Sequence, residues 1–460
     1  MMYKSTNAYN NILHIGFDDT DSRSGRCTTY LAFKILSNLK RNQSIKFLDY
    51  PLLIRLNPNI PWKTRGNGAV CIRLTTRNSK DIERITEYIK NEIEQNSDIG
   101  IGANPGLVFF EGRKIPDEII EFNRIAMFDI LSKQKAIKIA EKNKMKFFCY
   151  GNGQGLVGAT AAIGCLLDSD YTFEVIAYRK IENCQTPRKI DSIKVIYLDR
   201  STFPSTFNCY DHVHERILIT PHGPDPVFCG IRGEDPEILL EGLKMLKIEE
   251  KLEGYLIYRS NQGTGMHLIN EIKLGDVKAY TSGISRCRVT TNPYTMQGGH
   301  VFFTVEDNSK NSCLAAVYEP TGLTKVAAQL QKGDLIEIGF GVRKATIKHP
   351  TVLNLEYISI LETIQIYELV NPSCVNCGKR MKSEGKEKGF QCKRCKTLDR
   401  YGKKVPLLNP RSIKEGLYVP TPKAHRHLTK PRHRYGMEKK GWDISKNNIF
   451  PKWFGNIDNI

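Results

Sequence analysis

The stretch ILHIGFDDTDSRSGRCTTY, residues 12–30, decides how the rest of the chain is read. Ile12 to Phe17 is a short apolar run that predicts a buried strand. It ends in three carboxylates, Asp18, Asp19 and Asp21, with Thr20 and Ser22 set among them. A turn at Ser22-Arg23-Ser24-Gly25 follows. Cys27-Thr28-Thr29-Tyr30 then opens a helix whose apolar Leu31, Ile35, Leu36 and Leu39 recur at helical spacing. Carboxylates at a strand end, facing a helix start, suit Mg²⁺ and phosphate together. Asp oxygens bind the hard cation. Free amides and hydroxyls at the turn and helix start, here Thr20, Ser22 and Gly25, take anionic oxygens. The same residues are also ordinary turn formers and caps. A third reading is a phosphatase of the aspartyl-phosphate type, which sets two Asp one residue apart at a strand end, as Asp19 and Asp21 stand here.

Composition narrows the choice. A length of 460 residues predicts roughly three or four domains. The apolar content of 40% and charged content of 25% are those of a globular chain with sizeable cores. No apolar run approaches the ~20 residues that cross a bilayer. The opening MMYKSTNAYN has no signal-peptide apolar region. A cytoplasmic protein with no membrane partner is expected. The net charge is +19, from 68 basic and 49 acidic residues. A chain this basic usually meets a polyanion, nucleic acid first, although a solvated basic surface gives the same count. Of 13 cysteines, four cluster late and the rest lack disulfide-like spacing, as reduced thiols do.

Along the chain the pattern is that of a multidomain α+β protein. After a short lead, residues 1–11, an α/β unit spans 12–145, with strands at Phe47 to Leu56 (broken by Pro51), Ala69 to Leu74 and Leu107 to Phe110, and helices at Lys80 to Glu94 and Pro116 to Leu131. Its loop NPNIPWKTRGNG, residues 57–68, carries Lys63, Arg65 and Gly66 beside a Trp. It is a candidate cover for phosphates or a base, or simply a turn-rich connection. Residues 146–270 read as strand 146–150, helix 156–167, strands 173–179 and 215–220, helix 237–246 and strand 254–259, a βαββαβ order of ferredoxin-like type. GNGQG at 151–155 resembles a phosphate-binding turn without full dinucleotide spacing. Polar stretches at 208–214, 221–234 and 259–267 offer Asp211, Asp225 and Glu234 to a cationic ligand, and each is equally an ordinary turn or cap carboxylate.

Five short alternating segments and one inserted helix in 271–365 predict an OB barrel, a fold that grips single strands or nucleic-acid ends. Cys374, Cys377, Cys392 and Cys395 form two CxxC knuckles in 366–400 and predict a tetrahedral Zn²⁺ ribbon. Residues 401–460, rich in Pro, Lys, Arg and His, predict a basic arm that is ordered partly on its partner.

Taken in order, GFDDTDSRSGRCTTY, NPNIPWKTRGNGAV, YGNGQGLVGATAAIG, the barrel and the four-cysteine ribbon resemble the archaeal tRNA 2-agmatinylcytidine synthetase family. The resemblance covers roughly residues 12 to 400. It implies a kinase-like domain, a ferredoxin-like domain, an OB domain and a zinc ribbon. It also implies an ATP-dependent ligase that joins agmatine to carbon 2 of the wobble cytidine, through phosphorylation of the cytosine 2-oxygen. The implied partner is the isoleucine tRNA with a CAU anticodon, whose reading changes from AUG to AUA. On this sequence it assigns Asp18, Asp19 and Asp21 to Mg²⁺ and the ATP phosphates, and Thr28 to the phosphorylated threonine. It places the GNGQG run and the loops around Asp211 and Asp225 in the domain that contributes to the agmatine site. Two rivals differ in class: a non-catalytic tRNA-binding protein built on barrel and ribbon, and a small-molecule phosphotransferase.

Overall fold

A computed structural model of the chain describes residues 11–64, 66–347, 350–442 and 449–456. The expected lead, residues 1–11, falls outside the described residues except for Asn11, which opens the first strand. The first half runs β1 (Asn11–Asp18), α1 (Thr28–Leu39), β2 (Ile45–Phe47), β3 (Leu52–Arg55), β4 (Gly68–Thr76), α2 (Ser79–Asn96), β5 (Gly106–Glu111), α3 (Asp117–Ala126), α4 (Lys133–Lys142), β6 (Lys146–Cys149) and α5 (Gly155–Gly164). The second half runs β7 (Thr172–Arg179), α6 (Ser192–Thr202), β8 (Thr206–Phe207), a small hairpin of β9 (Tyr210–Asp211) and β10 (Arg216–Ile217), β11 (Val227–Gly233), α7 (Pro236–Met245) and β12 (Leu252–Ser260).

Both halves belong to one sheet, in the order β6-β5-β1-β4-β3-β12-β7-β11-β8. β1 is central to its half, antiparallel to β4 and β5 on its two edges; Ile12 to Phe17 are buried, α5 packs against it, and Asp18 stands at its end. The halves join where β3 and β12 pair in parallel, Leu52 opposite Arg259. One apolar core crosses this junction, with Leu13, Phe33 and Val70 on one side and Val175, Tyr178 and Ile257 on the other.

Contrary to the expectation from sequence, the strand at 146–149 does not open the second half. It pairs with β5 at the outer edge of the first, and the helix after it, α5, packs on β1, β4, β5 and α3. Small residues allow this approach. A Cβ on Gly16 would stand 2.1 Å from Ala159 O, and one on Gly106 2.1 Å from Leu156 N. The β-α-β-β-α-β order begins one strand later, as β7, α6, β8, β11, α7 and β12, with strands arranged β12-β7-β11-β8. Other expectations also shift. α3 stops at Ala126, and Asp129 Oδ1 accepts from the Ile130 amide in the turn beyond it. α4 and α6 lie where no helix is expected from the sequence. The expected strand 215–220 shrinks to Arg216–Ile217, while β11 runs through the stretch read as a polar loop.

β13 (Ser282–Val289), β14 (Tyr294–Thr295), β15 (Val301–Glu306), β16 (Ser312–Val317), α8 (Thr324–Ala327), β17 (Leu335–Arg343) and β18 (Val352–Glu362) follow. Five of these strands close as β13-β17-β18-β16-β15 and back to β13, a five-stranded barrel with its own core. Beyond it lie β19 (Ile366–Val370), β20 (Lys382–Ser383), β21 (Phe390–Gln391), β22 (Leu398–Asp399), β23 (Val405–Asn409), β24 (Gly416–Tyr418) and β25 (Phe454–Gly455). β19 pairs with β23 and so stalks a small three-stranded unit of β20, β21 and β22.

The C-terminal stretch is not a loose arm over its described residues. β24 pairs with β18 of the barrel, and β25 with β12 of the large sheet. Between them a strap, residues 420–442, crosses the second half. Buried Arg434 donates to Asp170 (3.0 and 3.1 Å) and to Glu234. Low hydropathy and missing periodicity make it look unstructured, because its anchors are guanidinium–carboxylate pairs rather than an apolar face.

Candidate active site

A cavity of about 380 Å³ opens where the two halves of the sheet meet. The end of β1, the start of α1, loop 57–68, the first turn of α5 and strands β7 and β11 line it. Asp18, Asp19 and Asp21 all reach it. Asp19 has left-handed backbone, φ 58°, a conformation Asp tolerates better than most residues. Its amide thereby donates to Asp18 Oδ1 at 2.8 Å. α5 presses directly on this end, and a Cβ on Gly158 would stand 1.8 Å from Asp18 Oδ2. Gly155, which ends the GNGQG turn, packs as closely, since a Cβ on it would stand 2.7 Å from Asp18 O.

Burial pushes the Asp18 carboxyl well above its ordinary range, and Asp19 and Asp21 add to this. Burial, then Asp21, brings Asp19 to about 7. Such crowding is relieved by a bound cation. The hard oxygen donors fit Mg²⁺, which needs only one or two carboxylates when phosphates complete its shell. Among the described residues these three do not themselves converge into a metal-sized cluster.

Thr28, the first residue of α1, is buried and lines the cavity. Its hydroxyl accepts from Thr20 Oγ1 at 3.0 Å. Burial and the nearby Asp225 push the Cys27 thiol up to about 11, which keeps it neutral. Thr20, Ser22 and Gly25 do not line the cavity. They build the turn, Ser22 by donating to Asp98 Oδ2 at 2.7 Å and by backbone pairing with Gly25. Lys63 and Gly66 do line it, whereas Arg65 lies outside the described residues. Lys63 Nζ donates to Pro58 O, and burial lowers its pKa.

The floor has no counterpart in the sequence-based expectations. Glu174 of β7, only 3% exposed, accepts from Arg232 Nε at 3.0 Å and from Gln262 Nε2, with Arg55 Nη2 at 3.9 Å. His427 of the strap joins the wall. The one signal in the sequence is a lone charge inside an otherwise apolar strand, Glu174 in TFEVIAYR and Arg232 in VFCGIRG, since a charge there needs a partner or a task. Of the three carboxylates offered to a cationic ligand, Asp225 reaches the cavity, where Arg188 Nη2 lies 3.3 Å from it. Asp211 and Glu234 do not. Asp211 accepts from the amides of Val213, His214 and Lys423, and Glu234 from Arg434 and Lys439.

Among the described residues, one cluster has the shape of a metal site. The Sγ atoms of Cys374, Cys377, Cys392 and Cys395 all lie within 4.8 Å of one another, with Cys374–Cys395 and Cys377–Cys392 at 3.4 Å. A tetrahedral Zn²⁺ with Zn–S bonds of about 2.3 Å sets sulfurs about 3.8 Å apart, so the four thiolates fit that ion. The apolar core beside them is only Cys374, Met381, Phe390 and Cys392, too little to fold without it.

No helix among the described residues is long and apolar enough to cross a membrane. Three family descriptions match the chain: the TiaS TCKD domain over residues 14–152, the TiaS FLD domain over 153–267, and the TiaS C-terminal zinc ribbon domain over 371–413. The isoleucine-tRNA 2-agmatinylcytidine synthetase TiaS of Cenarchaeum symbiosum is 42% identical over 449 residues, 97% of each chain. The crystal structure of a TiaS complex with its isoleucine tRNA and ATP has a TM-score of 0.78 at 35% identity, covering 92% of this chain and 98% of that one. A TiaS complex with the same tRNA, AMPCPP and agmatine matches with the same score and coverage at 32% identity.

Proposed function

The chain belongs to the isoleucine-tRNA 2-agmatinylcytidine synthetase (TiaS) family, and from that premise we propose which of its residues carry the ATP-dependent attachment of agmatine to the wobble cytidine of that tRNA. One observation carries the assignment. A protein of net charge +19 gathers Asp18, Asp19, Asp21, Asp129, Glu174 and Asp225 around one cavity, beside Arg55, Lys63 and Arg232. A dicationic amine and a polyanionic nucleotide need that juxtaposition.

Asp18, Asp19 and Asp21 would hold Mg²⁺, which when bound supplies charge neutralisation at the transferred phosphoryl group. Arg55, Lys63 and the α5 turn face the phosphates. The 2-oxygen of cytosine is a poor leaving group. Moving the ATP γ-phosphoryl to it creates a phosphate ester, and attack of the agmatine amine on carbon 2 then expels phosphate as the amine loses its proton. Asp225 and Glu174 are the carboxylates placed to take the cationic ends of agmatine. Thr28, buried and lining the same cavity as the acids, is the candidate for a separate self-phosphorylation, in which its hydroxyl loses a proton, takes the γ-phosphoryl of another ATP and releases ADP. The wobble base must leave its stack to enter. The first half of the sheet is the kinase-like domain, β7 to β12 the ferredoxin-like domain and the closed barrel an OB domain. Zinc-ribbon and barrel grips on the tRNA backbone account for the basic surface.

The test is incubation with ATP, agmatine and an unmodified transcript of the tRNA, followed by nucleoside mass analysis. The wobble cytidine gains agmatine only when ATP is present. An unchanged cytidine overturns the assignment.

A further inference from the structure

Loop 57–68 overhangs the cavity, and the strap that arrives from beyond the ribbon holds it there. Arg426 Nη1 donates to Asn59 Oδ1 at 2.7 Å and to Glu356 Oε1 of β18 at 3.2 Å. The other oxygen of Glu356 lies 2.9 Å from His267 Nε2. The barrel, the strap and the loop thus meet on one guanidinium. The next residue, His427, turns the opposite way. Its Nδ1 faces Arg232 Nη2 at 3.1 Å and Gln262 Oε1 at 2.9 Å, a donor and an acceptor, so either neutral tautomer makes one hydrogen bond there. Its Nε2 backs the loop, at 2.8 Å from where a Cβ on Gly66 would stand.

The strap backbone at this point is fixed independently. The Gly263 amide donates to His427 O and the Gly265 amide to Leu428 O, each at 2.8 Å. Both glycines have positive φ, 66° and 73°, which makes this close double contact available to glycine and strained for other residues. Farther on, Arg434 locks the strap to Asp170.

We propose that Arg426 and His427 are positioning residues for agmatine transfer: the strap sets loop 57–68 over the cavity and aims Arg232, with Glu174 behind it, into the floor. The proposal rests on the function assigned above. Neither side chain needs to touch the reacting atoms. A ring held among Arg55, Arg232 and Lys63 has to stay neutral to serve, and burial, with those cations, drives its pKa well below the usual histidine range. The site is then complete only when the chain has passed through the ribbon and returned, although the ribbon itself lies outside the cavity.

The test compares His427→Leu, which fills the space without a polar atom, with His427→Asn, whose amide can present either an oxygen or an N–H where Nδ1 stood. Both are made in the full-length zinc-loaded protein. A misplaced site of this kind loses about a hundredfold in rate. His427→Leu should lower kcat/KM for agmatine by about that factor and weaken AMPCPP binding about tenfold, with tRNA affinity held within about twofold, and His427→Asn should recover at least about tenfold of the loss. Arg426→Gln, on a side chain 40% exposed, keeps a side-chain N–H donor and should raise the KM for agmatine about fivefold. Wild-type kcat/KM and AMPCPP affinity in His427→Leu, or an Asn variant as impaired as Leu, or an unaltered KM in Arg426→Gln, overturns the proposal. Should the wild-type protein transfer no agmatine, the functional assignment fails, while AMPCPP affinity still reads the strap.

Discussion

The ribbon and the cavity are both lined with ionisable side chains, and they are assembled in opposite ways. The ribbon draws its four thiolates from one short stretch, Cys374 to Cys395, and has almost no core of its own. Its geometry comes from the ion. The cavity draws its groups from Asp18 to His427, placed by strand ends, a helix start, loops and the strap, which the chain's own contacts hold. The first site is local and metal-dependent, and the second is distributed and preorganised. Damage should therefore spread differently in the two.

The largest effect expected is at the acids. Asp19→Asn should reduce agmatine transfer at least about a thousandfold, because charge neutralisation of the phosphoryl group is the main catalytic term in such transfers. Binding of the tRNA, measured by filter retention, should change less than about twofold. A transferase that keeps its rate would erase the contrast. Zinc removal by a chelator comes next. It should cost about ten- to a hundredfold in tRNA affinity and flatten the salt dependence as phosphate contacts are lost. AMPCPP affinity, measured by calorimetry, should not move, because no ribbon residue lines the cavity. A parallel loss of nucleotide binding would show that the two sites are one.

A smaller effect separates carboxylates that the sequence could not separate. Asp225→Asn should raise the KM for agmatine about tenfold. Glu234→Gln should leave that KM within about twofold and instead lower the thermal midpoint by several degrees, through the contacts to Arg434 and Lys439. Reversal of these two outcomes would place agmatine outside the cavity.

The smallest effect is with acid. Burial pushes Glu356 up, but His267 and Arg426 beside it prevail and hold it at about 2. Its folded pKa is below the unfolded one. Its contribution is therefore present above about pH 4.5 and is lost as pH falls through about 2. Tryptophan fluorescence, from residues that include Trp442 and Trp453 of the C-terminal segment, should report loosening over that range. Glu356→Gln should flatten the acid limb.

How much could be read in advance follows the same contrast. The ribbon is legible because its signal is a spacing. The acid cluster is legible because a strand, three Asp and a helix start are contiguous. The barrel is legible because some of its strands keep period-two alternation, most plainly β15, where Val301, Phe303 and Val305 are buried and Phe302, Thr304 and Glu306 are not. The floor is not, because Glu174, Arg232, Gln262 and His427 are brought together by strand order and by a strap that carries no periodic pattern. The second-half strand order reads wrongly by one element for a related reason. Lys146–Cys149 has the look of any edge strand, and the close contacts at Gly106, Gly155 and Gly158 show which half of the sheet the following helix covers.

The parallel seam between β3 and β12 has a practical corollary. Cut at the boundary that separates the two family descriptions, the first piece would show a bare strand edge at Leu52–Arg55 and lack the helix that roofs β1. The second would show a matching bare edge at Arg259 and carry that helix with nothing to sit on. Raw edges of this kind invite aggregation. Expression of either half alone should give insoluble material, and co-expression should restore a soluble pair.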